Sequence, residues 1–275
     1  MFIEVGPASL VVTVERGGKA YDIGRKRIED YLAAILGDIR DCLPVLRQKA
    51  QRVLKAEHMP EVAVKMINAV KRVDERTLTP MAAVAGTVSE MVRDLIRDEE
   101  TDFIAVNNGG DIAVHNRKGR EITIGIGDIR TGRATPYVLK INGLDDLGIA
   151  TSGFGGRSLT LGLADLVTVI AESGAVADAA ATFLCNRTNV VTDRVQRKKA
   201  SEVDPSTDIP DELVTVSIAD LSHEERGQAL DKGLTEAYRL KKDHVIYDAV
   251  FLLNKRMVTT IAGDEYIRLE VHNGG

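Results

Sequence analysis

The fold is decided by residues 103–115, which read FIAVNNGGDIAVH. Two apolar runs, 103–106 and 112–115, flank the polar and glycine-rich segment 107–111. Asn-Gly and Gly-Asp steps between two β-rich runs are typical of a tight turn that joins antiparallel strands. This stretch therefore predicts a β-hairpin.

Short β-rich runs continue on both sides of this hairpin. Residues 121–126 and 137–141 predict two more strands, so that four runs form one antiparallel sheet. Near the start of the chain, residues 9–23 predict another hairpin, with Gly17 and Gly18 at its turn. Three later runs predict a nearly continuous apolar strand and two strands that close the sheet: 163–172, 245–253 and 257–261.

Helical periodicity fills the chain between the first hairpin and the sheet. Apolar residues recur at helical spacing from Ile28 to Ile39 and again from Val62 to Val73, which predicts one buried stripe on each helix. Between them, Pro44 is predicted to open a further helix, since proline is tolerated in a first helical turn. That helix would carry Leu46, Ala50, Val53 and Leu54.

The next predicted helix starts at Thr79-Pro80, a residue pair typical of a helix N-terminus. It continues with the small residues 81–86, which would let another backbone or a ligand come close; tight helix packing is the alternative explanation. Ser222 and Glu225 form a capping box for a later helix.

Two more segments complete the predicted elements. Ser173-Gly174 leads into a helix over residues 175–185. Residues 194–211 are charged and contain proline, which predicts an exposed excursion. Together the elements predict an α+β fold with an antiparallel sheet backed by helices. We expect a single domain over residues 1–275, with the helical segment 25–76 inserted after the N-terminal hairpin.

The composition is that of a folded protein. The chain has 275 residues, 44% of them hydrophobic, with 36 Lys and Arg against 41 Asp and Glu and a net charge of -5. A chain of this length buries enough surface for a sizeable core. It lacks the basic excess that a phosphate backbone or an anionic membrane selects, so nucleic acid and membrane surfaces are not expected as partners.

The termini and cysteines predict a cytoplasmic location. Glu4 stands where a secretory signal would need a basic run, and no apolar stretch reaches the length of a membrane span. Cys42 and Cys185 fit no metal-ligand spacing and are interpreted as reduced core thiols.

Two polar and glycine-bearing segments are candidates for a binding site. Residues 107–111 have a tight hairpin turn as their plainest interpretation. Residues 151–158, TSGFGGRS, combine glycines and hydroxyls whose backbone N–H groups would converge on a phosphate, with Arg157 adding charge. A flexible connection explains the second segment equally well.

Asp178 and Thr182 stand four residues apart on a predicted helix of otherwise small and apolar residues, ADAAAT, so both oxygens share one face. A carboxylate and a hydroxyl are hard ligands suited to Mg²⁺. Two such oxygens hold magnesium weakly, which predicts a metal bound together with a pyrophosphate-bearing ligand. The alternative is a carboxylate favoured by the helix macrodipole plus a threonine bonded back to its own helix.

The order of these segments resembles the ApbE superfamily, flavin transferases that use FAD and Mg²⁺ to attach FMN to a Ser or Thr of target proteins. The resemblance covers roughly residues 79–186 and is closest to an ApbE-like branch without an assigned function. It is carried by the segments 80–86, 107–112, 125–126, 150–153, 167–170 and 177–186.

The resemblance implies a T-fold-like ApbE architecture with a flavin nucleotide and Mg²⁺ as cofactors. By analogy, Asp178, Thr182 and the backbone carbonyl of Ala85 would ligate the metal. The residues implied in nucleotide binding are Met81, Ala82, Asn108, Gly109, Gly110, Asp111, Thr151, Ser152, Gly153 and Ser158. A protein target is implied as well, and a homodimer is left open.

One departure from the family pattern concerns catalysis. The transferases carry a His-x-x-Asp-Pro-Arg-Thr-Gly segment before the metal helix, and residues 153–178 contain neither His nor Pro. Residues 128–132, DIRTG, resemble a fragment of it but precede Thr151. The five histidines, at 58, 115, 223, 244 and 272, all lie outside this segment, so no catalytic residue is assigned.

Two functional hypotheses follow. In the first, the chain is an ApbE-like enzyme, either a Mg²⁺-dependent FMN transferase or an FAD pyrophosphate hydrolase. In the second, it is a non-catalytic accessory protein of an anaerobic redox or sulfur pathway, with a vestigial flavin site. The missing histidine segment favours the second, whereas the Asp178–Thr182 pair favours retained nucleotide binding.

Overall fold

A computed structural model describes residues 1–54, 56–127, 134–156, 158–263 and 266–271. Within these ranges the chain forms six α-helices and fourteen strands. The helices are α1 Arg25–Leu46, α2 Glu61–Asp74, α3 Val84–Ile96, α4 Gly174–Arg187, α5 Ala200–Val203 and α6 His223–Lys242. The strands are β1 Phe2–Val5, β2 Ala8–Arg16, β3 Lys19–Ala20, β4 Thr101–Asn108, β5 Asp111–Asn116, β6 Ile122–Gly127, β7 Ala134–Ile141, β8 Asp146–Ser152, β9 Leu166–Ala171, β10 Val195–Lys199, β11 Leu213–Ile218, β12 Asp248–Leu253, β13 Arg256–Thr259 and β14 Ile267–Val271.

The chain divides into two compact units. The first comprises Met1–Arg120, Gly143–Ala150 and Ile170–Ala180, and the second comprises Glu121–Asn142, Thr151–Val169 and Ala181–Gly275. Strands β8 and β9 and helix α4 each contribute residues to both units. That residues 1–275 behave as a single domain stays a prediction.

The first unit is built on antiparallel strands in the order β1-β2-β4-β5-β8, with β3 paired to β2. Helix α3 packs on β4 and β5, and α1 packs on β1. Ile104, Val106 and Ala113 are buried on one face of this sheet, because alternate side chains of a strand point to one face and Ala113 pairs with Val106. The predicted α+β class, with an antiparallel sheet backed by helices, is confirmed.

The hairpins at 9–23 and 103–115 are confirmed, but the single four-run sheet is wrong. Strand β7 pairs with β6 on one side and with β14 on the other, in a three-stranded sheet of the second unit. The pairing of β6 with β7 shifts register between Gly125 and Gly127. Half of the β6 residues are exposed, so this run needs only one covered face, as a small antiparallel sheet provides.

The exposed excursion at 194–211 is also a wrong prediction in its first part. Residues of β10 pair antiparallel with β11, and α5 follows directly. Val195 is buried at the start of β10, while Lys198 and Lys199 are exposed at its end. A two-stranded ribbon buries few of its residues, so β10 contains charged side chains and lacks the apolar pattern that predicts a strand.

The two helical stripes and the capping box are confirmed. Ile28, Leu32, Ile35 and Ile39 are buried along α1. On α2 the buried residues are Val62, Ala63, Met66, Ile67, Ala69, Val70 and Val73. At the start of α6, Ser222 Oγ accepts from the N–H of Glu225 at 3.1 Å, and the Glu225 carboxylate accepts from the N–H of Ser222 at 2.6 Å.

The helix predicted to open at Pro44 is wrong. Pro44 lies in the last turn of α1, two residues before the helix ends at Leu46. Without an N–H it cannot donate to the carbonyl four residues earlier, so it stands where a helix ends and does not open a new one. Only residues 50–52 form a 3₁₀ turn, and Leu54 is exposed. The helix predicted from Thr79-Pro80 begins as a 3₁₀ turn, Pro80–Ala83, before α3.

Candidate functional site

The glycines of the first candidate segment serve a hairpin turn. Gly109 and Gly110 connect β4 to β5 with φ angles of +67° and +115°, a region that L-residues with side chains avoid. The N–H of Gly110 donates to Asn107 Oδ1 at 2.8 Å. The tight-turn interpretation therefore accounts for both glycines, while Gly109 remains exposed and Gly110 half-buried.

Asn108 and Asp111, which close this turn, connect it to α3. The buried Asn108 donates through Nδ2 to the carbonyl of Ala85 at 3.4 Å. Ser89 Oγ donates to the backbone carbonyl of Asp111 at 2.7 Å. The first turns of α3 thus lie directly beside the hairpin. Met81 and Ala82 lie in the preceding 3₁₀ turn and are partly exposed.

The small residue Gly86 allows α3 to approach the start of α4 very closely. A Cβ atom on Gly86 would overlap the carbonyl oxygen of Gly174 and lie 2.7 Å from Cβ of Asp178. A Cβ atom on Gly174 would lie 2.6 Å from the carbonyl oxygen of Gly86. The two helix N-termini therefore meet backbone to backbone, as the small-residue start of α3 permits.

Asp178 reaches the N-terminus of α3 from α4. Its Oδ2 accepts a hydrogen bond from the N–H of Gly86 at 2.9 Å, and the N–H of Ala85 also donates to this carboxylate. These N–H groups lie in the first turn of α3, where they have no partner within their own helix. A carboxylate at this position is favoured by the positive end of the helix dipole.

A second carboxylate, that of Asp111, acts on Asp178. Burial first, and then the negative charge of Asp111, raise the pKa of the Asp178 carboxyl well above its usual value, against the bonds from Gly86 and Ala85. Two acids that repel each other at a half-buried place are stabilised by a cation. Their oxygens are the hard donors that Mg²⁺ prefers, so this donor set fits the implied metal.

The other two predicted metal ligands, Ala85 and Thr182, differ in their relation to Asp178. Ala85 is brought to Asp178 through its N–H, while its carbonyl accepts from Asn108 and lies 3.2 Å from Ser89 Oγ. Thr182 lies four residues after Asp178 on α4, in the second unit, and is half-buried. Among the described residues, no group of three or more His, Cys, Asp or Glu side chains is arranged to hold a metal.

In the second unit, the predicted Thr-Ser-Gly segment closes β8. Thr151 Oγ1 lies 2.9 Å from Thr168 Oγ1 on β9, and Ser152 hydrogen-bonds to the thiol of Cys185 on α4. Thr151 and Ser152 are half-buried and Gly153 is buried. Ser158 is exposed, and Arg157 lies outside the described residues, as does the DIRTG segment at 128–132.

The loop after Gly153 is held by the C-terminal end of α4. Thr188 Oγ1 accepts from the N–H groups of Leu163 and Ala164 at 3.1 and 3.0 Å, and donates to the carbonyl of Cys185 at 2.6 Å. Asn186 Oδ1 accepts from the N–H of Leu161 at 3.0 Å. These bonds hold residues 161–164 in place, while the two interpretations of residues 151–158, a phosphate-binding loop and a flexible connection, stay predictions.

Several residues at these places were missed from the sequence. Ser89 and Glu90 follow the small-residue start of α3 and contact Asp111 and Ala175, and Thr160 Oγ1 lies 3.3 Å from Cys185 Sγ. The available signal was helical spacing: Ser89 stands one turn after Ala85, on the same helix face. Thr160 carries no comparable signal, because its contact spans 25 residues of sequence.

The histidines provide no residue with an assigned catalytic role. His115 Nδ1 lies 2.8 Å from Asp146 Oδ1, and His115 is buried within the first unit. Arg97 also contacts Asp146, at 2.7 Å. The buried His115 is thus explained as a polar side chain satisfied by the partly exposed Asp146. His272 lies outside the described residues.

Comparison with protein families adds the decisive observation. A family model described as "AbpE bacteria" matches residues 1–261. The chain belongs to this family. The resemblance to the ApbE superfamily drawn from residues 79–186 is thereby confirmed, and membership in the AbpE bacteria family extends over nearly the whole chain.

Relatives of this AbpE bacteria chain include archaeal UPF0280 proteins. One from Methanopyrus kandleri is 36% identical over 180 residues, which is 64% of this chain and 66% of the relative. Another from Methanobrevibacter smithii is 36% identical over 131 residues, or 47% of this chain and 53% of the relative. The matches thus span about half to two thirds of these relatives.

Among solved structures, the apo form of the flavinyl transferase ApbE from Pseudomonas stutzeri matches with 16% identity and a TM-score of 0.48, covering 94% of this chain and 92% of that one. In the part of the chain that the structure describes, every helix is too short or too polar to cross a membrane.

Proposed function

We propose that this chain binds a flavin nucleotide, or another nucleotide with a pyrophosphate, together with Mg²⁺. The observation that carries the proposal is the Asp178 carboxylate, held by the N–H groups of Ala85 and Gly86 and repelled by Asp111. A cation bound there would offset the repulsion between the two acids. Membership in the AbpE bacteria family supports the same assignment.

The chain's own residues would hold the metal through hard oxygens. Asp178 provides the carboxylate, with Thr182 and the Ala85 carbonyl as the further ligands we propose; the nucleotide phosphates complete the shell. Mg²⁺ bound this way would polarise a phosphoryl oxygen. The N–H groups at the start of α3 fix the orientation of the carboxylate before any ligand arrives, which lowers the cost of binding.

The remaining proposals concern the ligand and the reaction. We propose FAD as the nucleotide, with transfer of FMN to a protein target, or hydrolysis of the FAD pyrophosphate, as the reaction. Thr151, Ser152, Gly153 and Ser158 stay predicted nucleotide contacts, as do Met81, Ala82 and residues 108–111. A cytoplasmic location belongs to the same proposal, and a homodimer and the absence of nucleic acid partners stay predictions.

A second candidate is a non-catalytic accessory protein that retains a vestigial flavin site. It is favoured by residues 153–178, which lack the histidine segment of the transferases. It is also compatible with the bond from Gly86 to Asp178, which satisfies one carboxylate oxygen without a metal. This candidate predicts that FAD remains intact on prolonged incubation with the protein and Mg²⁺.

The test is thermal denaturation of the full chain with FAD, FMN, ADP and ATP, each with and without Mg²⁺. A ligand that binds the native state raises its stability by mass action, by about 2.7 kcal/mol at a hundredfold excess over Kd. We expect stabilisation by FAD that requires Mg²⁺ and disappears in Asp178→Asn. Asp94→Asn, on the exposed side of α3, is the matched control and should respond like the wild type.

Two outcomes contradict the proposal. Stabilisation of the wild type by none of the four nucleotides removes the binding function. An undiminished response of Asp178→Asn removes the metal site, even if FAD binds. Chromatography of the incubated FAD then separates the two candidates, since FMN and AMP appear only if the chain hydrolyses the pyrophosphate.

A further inference from the structure

Helices α3 and α4 cap each other's N-termini with carboxylates. Asp178 of α4 accepts from the N–H of Gly86 at the start of α3, at 2.9 Å. In return, Glu90 of α3 accepts through Oε2 from the N–H of Ala175 at the start of α4, at 3.2 Å. All of these residues belong to the first unit. The position of the Asp178 carboxylate is therefore coupled to a second acid, Glu90, which lies one helical turn after Gly86 on α3.

Glu90 is itself held by a cation. Only 7% of the residue is exposed, and its Oε1 lies 3.0 Å from Lys65 Nζ of α2. Burying a carboxylate is costly unless it is paired and hydrogen-bonded, and Glu90 has both kinds of partner. Lys65 also lies 3.6 Å from Asp94, a weaker contact on the exposed side of α3. Glu90 thus has a defined orientation.

The first turn of α4 has a cap of its own from Ser173, whose Oγ accepts from the N–H of Val176 at 3.3 Å. That bond fixes the turn locally but does not tie it to α3. The hydrogen bond from the N–H of Ala175 to Glu90 connects this turn to α3. Asp178 follows Ala175 by three residues, on the neighbouring position of the same helix face.

We infer that Glu90, oriented by Lys65, is a positioning residue that sets where the Asp178 carboxylate lies at the start of α3. The inference about position stands on the first unit alone. Its extension, that Glu90 thereby sets the affinity of the metal site, rests on the proposed function.

The positional part is tested by amide hydrogen exchange, residue by residue, in Glu90→Gln. The amide side chain keeps an oxygen but loses the charge that holds Lys65 and strengthens the bond to Ala175. We expect exchange of the Gly86 N–H, which donates to Asp178 and not to Glu90, to rise about fivefold, as loss of a hydrogen bond of about 1 kcal/mol would produce. Asp94→Asn removes the other partner of Lys65 and should leave Gly86 unchanged.

Global destabilisation is distinguished by amides in the middle of α1, such as Leu32, which should keep their wild-type protection in Glu90→Gln. If Glu90→Gln does not fold, Lys65→Gln takes its place and is expected to speed exchange at Gly86 in the same direction. Wild-type exchange at Gly86 in the folded variant overturns the inference, and so does equal acceleration at Leu32.

The metal part uses Mn²⁺, titrated in the presence of FAD, as a spectroscopic probe of the proposed Mg²⁺ site, because the nucleotide phosphates complete the proposed shell. Outer-shell residues typically affect metal affinity by 10–100-fold, so Glu90→Gln should weaken Mn²⁺ binding about tenfold relative to Asp94→Asn. Unchanged Mn²⁺ affinity in Glu90→Gln overturns this part. A wild-type chain that binds no Mn²⁺ in the presence of FAD defeats the proposed function instead, while exchange at Gly86 still decides whether Glu90 positions Asp178.

Discussion

The two ends of α4 are packed equally closely but differ in chemistry. At the N-terminal end, Gly86 meets the backbone of Gly174, and the surrounding polar groups include four ionisable ones: Asp111, Asp178, Glu90 and Lys65. At the C-terminal end, Gly162 meets the backbone of Cys185, and the side chains that hydrogen-bond there are the neutral Thr160, Asn186 and Thr188, with the cationic Arg187 in the last turn. Close packing alone therefore does not distinguish a binding site.

The charge difference follows the direction of the helix. Carboxylates are stabilised at a helix N-terminus, where N–H groups are unpaired, and destabilised at a C-terminus. The C-terminal end instead carries a thiol, and burial raises the pKa of Cys185 to about 11, against hydrogen bonds from Thr160 and Ser152 that lower it. That thiol stays protonated at neutral pH, so only the N-terminal end offers anionic ligands to a cation.

The largest effects on stability are expected at Gly86 and Gly162, whose backbones contact the backbone of α4. In Gly86→Ala and in Gly162→Ala, the added methyl would overlap a carbonyl oxygen of α4, that of Gly174 or of Cys185. Backbone atoms cannot move aside as a flexible side chain does, so each variant should lose about 3 kcal/mol of unfolding free energy. Chemical denaturation of both purified variants measures the loss.

The matched control is Gly37→Ala in α1, where a Cβ atom meets nothing within 4 Å. Alanine is the better helix former, so this variant should gain about 0.5–1 kcal/mol. If Gly86→Ala or Gly162→Ala were as stable as the wild type, close backbone contact at that end of α4 would be disproved.

A smaller loss of unfolding free energy is expected from Thr188→Val, which tests the C-terminal end of α4. The substitution keeps the shape of the side chain but removes the hydroxyl that accepts from Ala164 and donates to Cys185. A buried N–H left without its acceptor costs roughly 2 kcal/mol. Thermal and chemical unfolding measure the loss, which should be independent of Mg²⁺.

Thr235→Val is the control for Thr188→Val. Thr235 Oγ1 likewise donates to a helix carbonyl, that of Asp231 at 2.7 Å, but it is exposed on α6. Its replacement should change stability by less than about 0.5 kcal/mol. Equal losses in both variants would mean that the loop bonds at Thr188 contribute nothing beyond the helix.

Local patterns predicted the elements better than the sheets. The Asn-Gly turn at 107–111 and the apolar stripes of α1 and α2 are written in neighbouring residues, and all are confirmed. Which strands share a sheet depends on partners far along the chain: β7 pairs with β14, more than 120 residues away. No local pattern contains that information.

The same limit applies to the candidate site. The sequence placed Asp178 on a helix beside small residues, and the ordered motifs identified the family. The hydrogen bond between Asp178 and Gly86 joins residues 92 apart, and that between Glu90 and Ala175 joins residues 85 apart. Such contacts are set by how α3 and α4 cross, which periodicity within either helix does not specify.

The smallest expected effect is a pH dependence that separates the charged end of α4 from an ordinary helix cap. Because the pKa of Asp178 is raised, the folded chain binds more protons than the unfolded chain above pH about 3.9, and stability falls as pH rises toward the folded pKa. Asp178→Asn keeps an acceptor for Gly86 and removes this loss. Without metal, its Tm should therefore exceed that of the wild type by an amount that grows with pH.

Glu225→Gln is expected to change Tm with pH in the opposite direction to Asp178→Asn. Bonds from the Thr192 hydroxyl and from the backbone of Ser222 lower the pKa of Glu225 to about 2. Its stabilising contribution is present above the unfolded pKa of about 4.3 and is lost as pH falls toward 2, so this variant should approach the wild type only in acid. Melting curves from pH 3 to 8 with a chelator compare the two. If Asp178→Asn also loses stability relative to the wild type as pH rises, Asp178 is an ordinary cap, and the distinction between the ends of α4 fails.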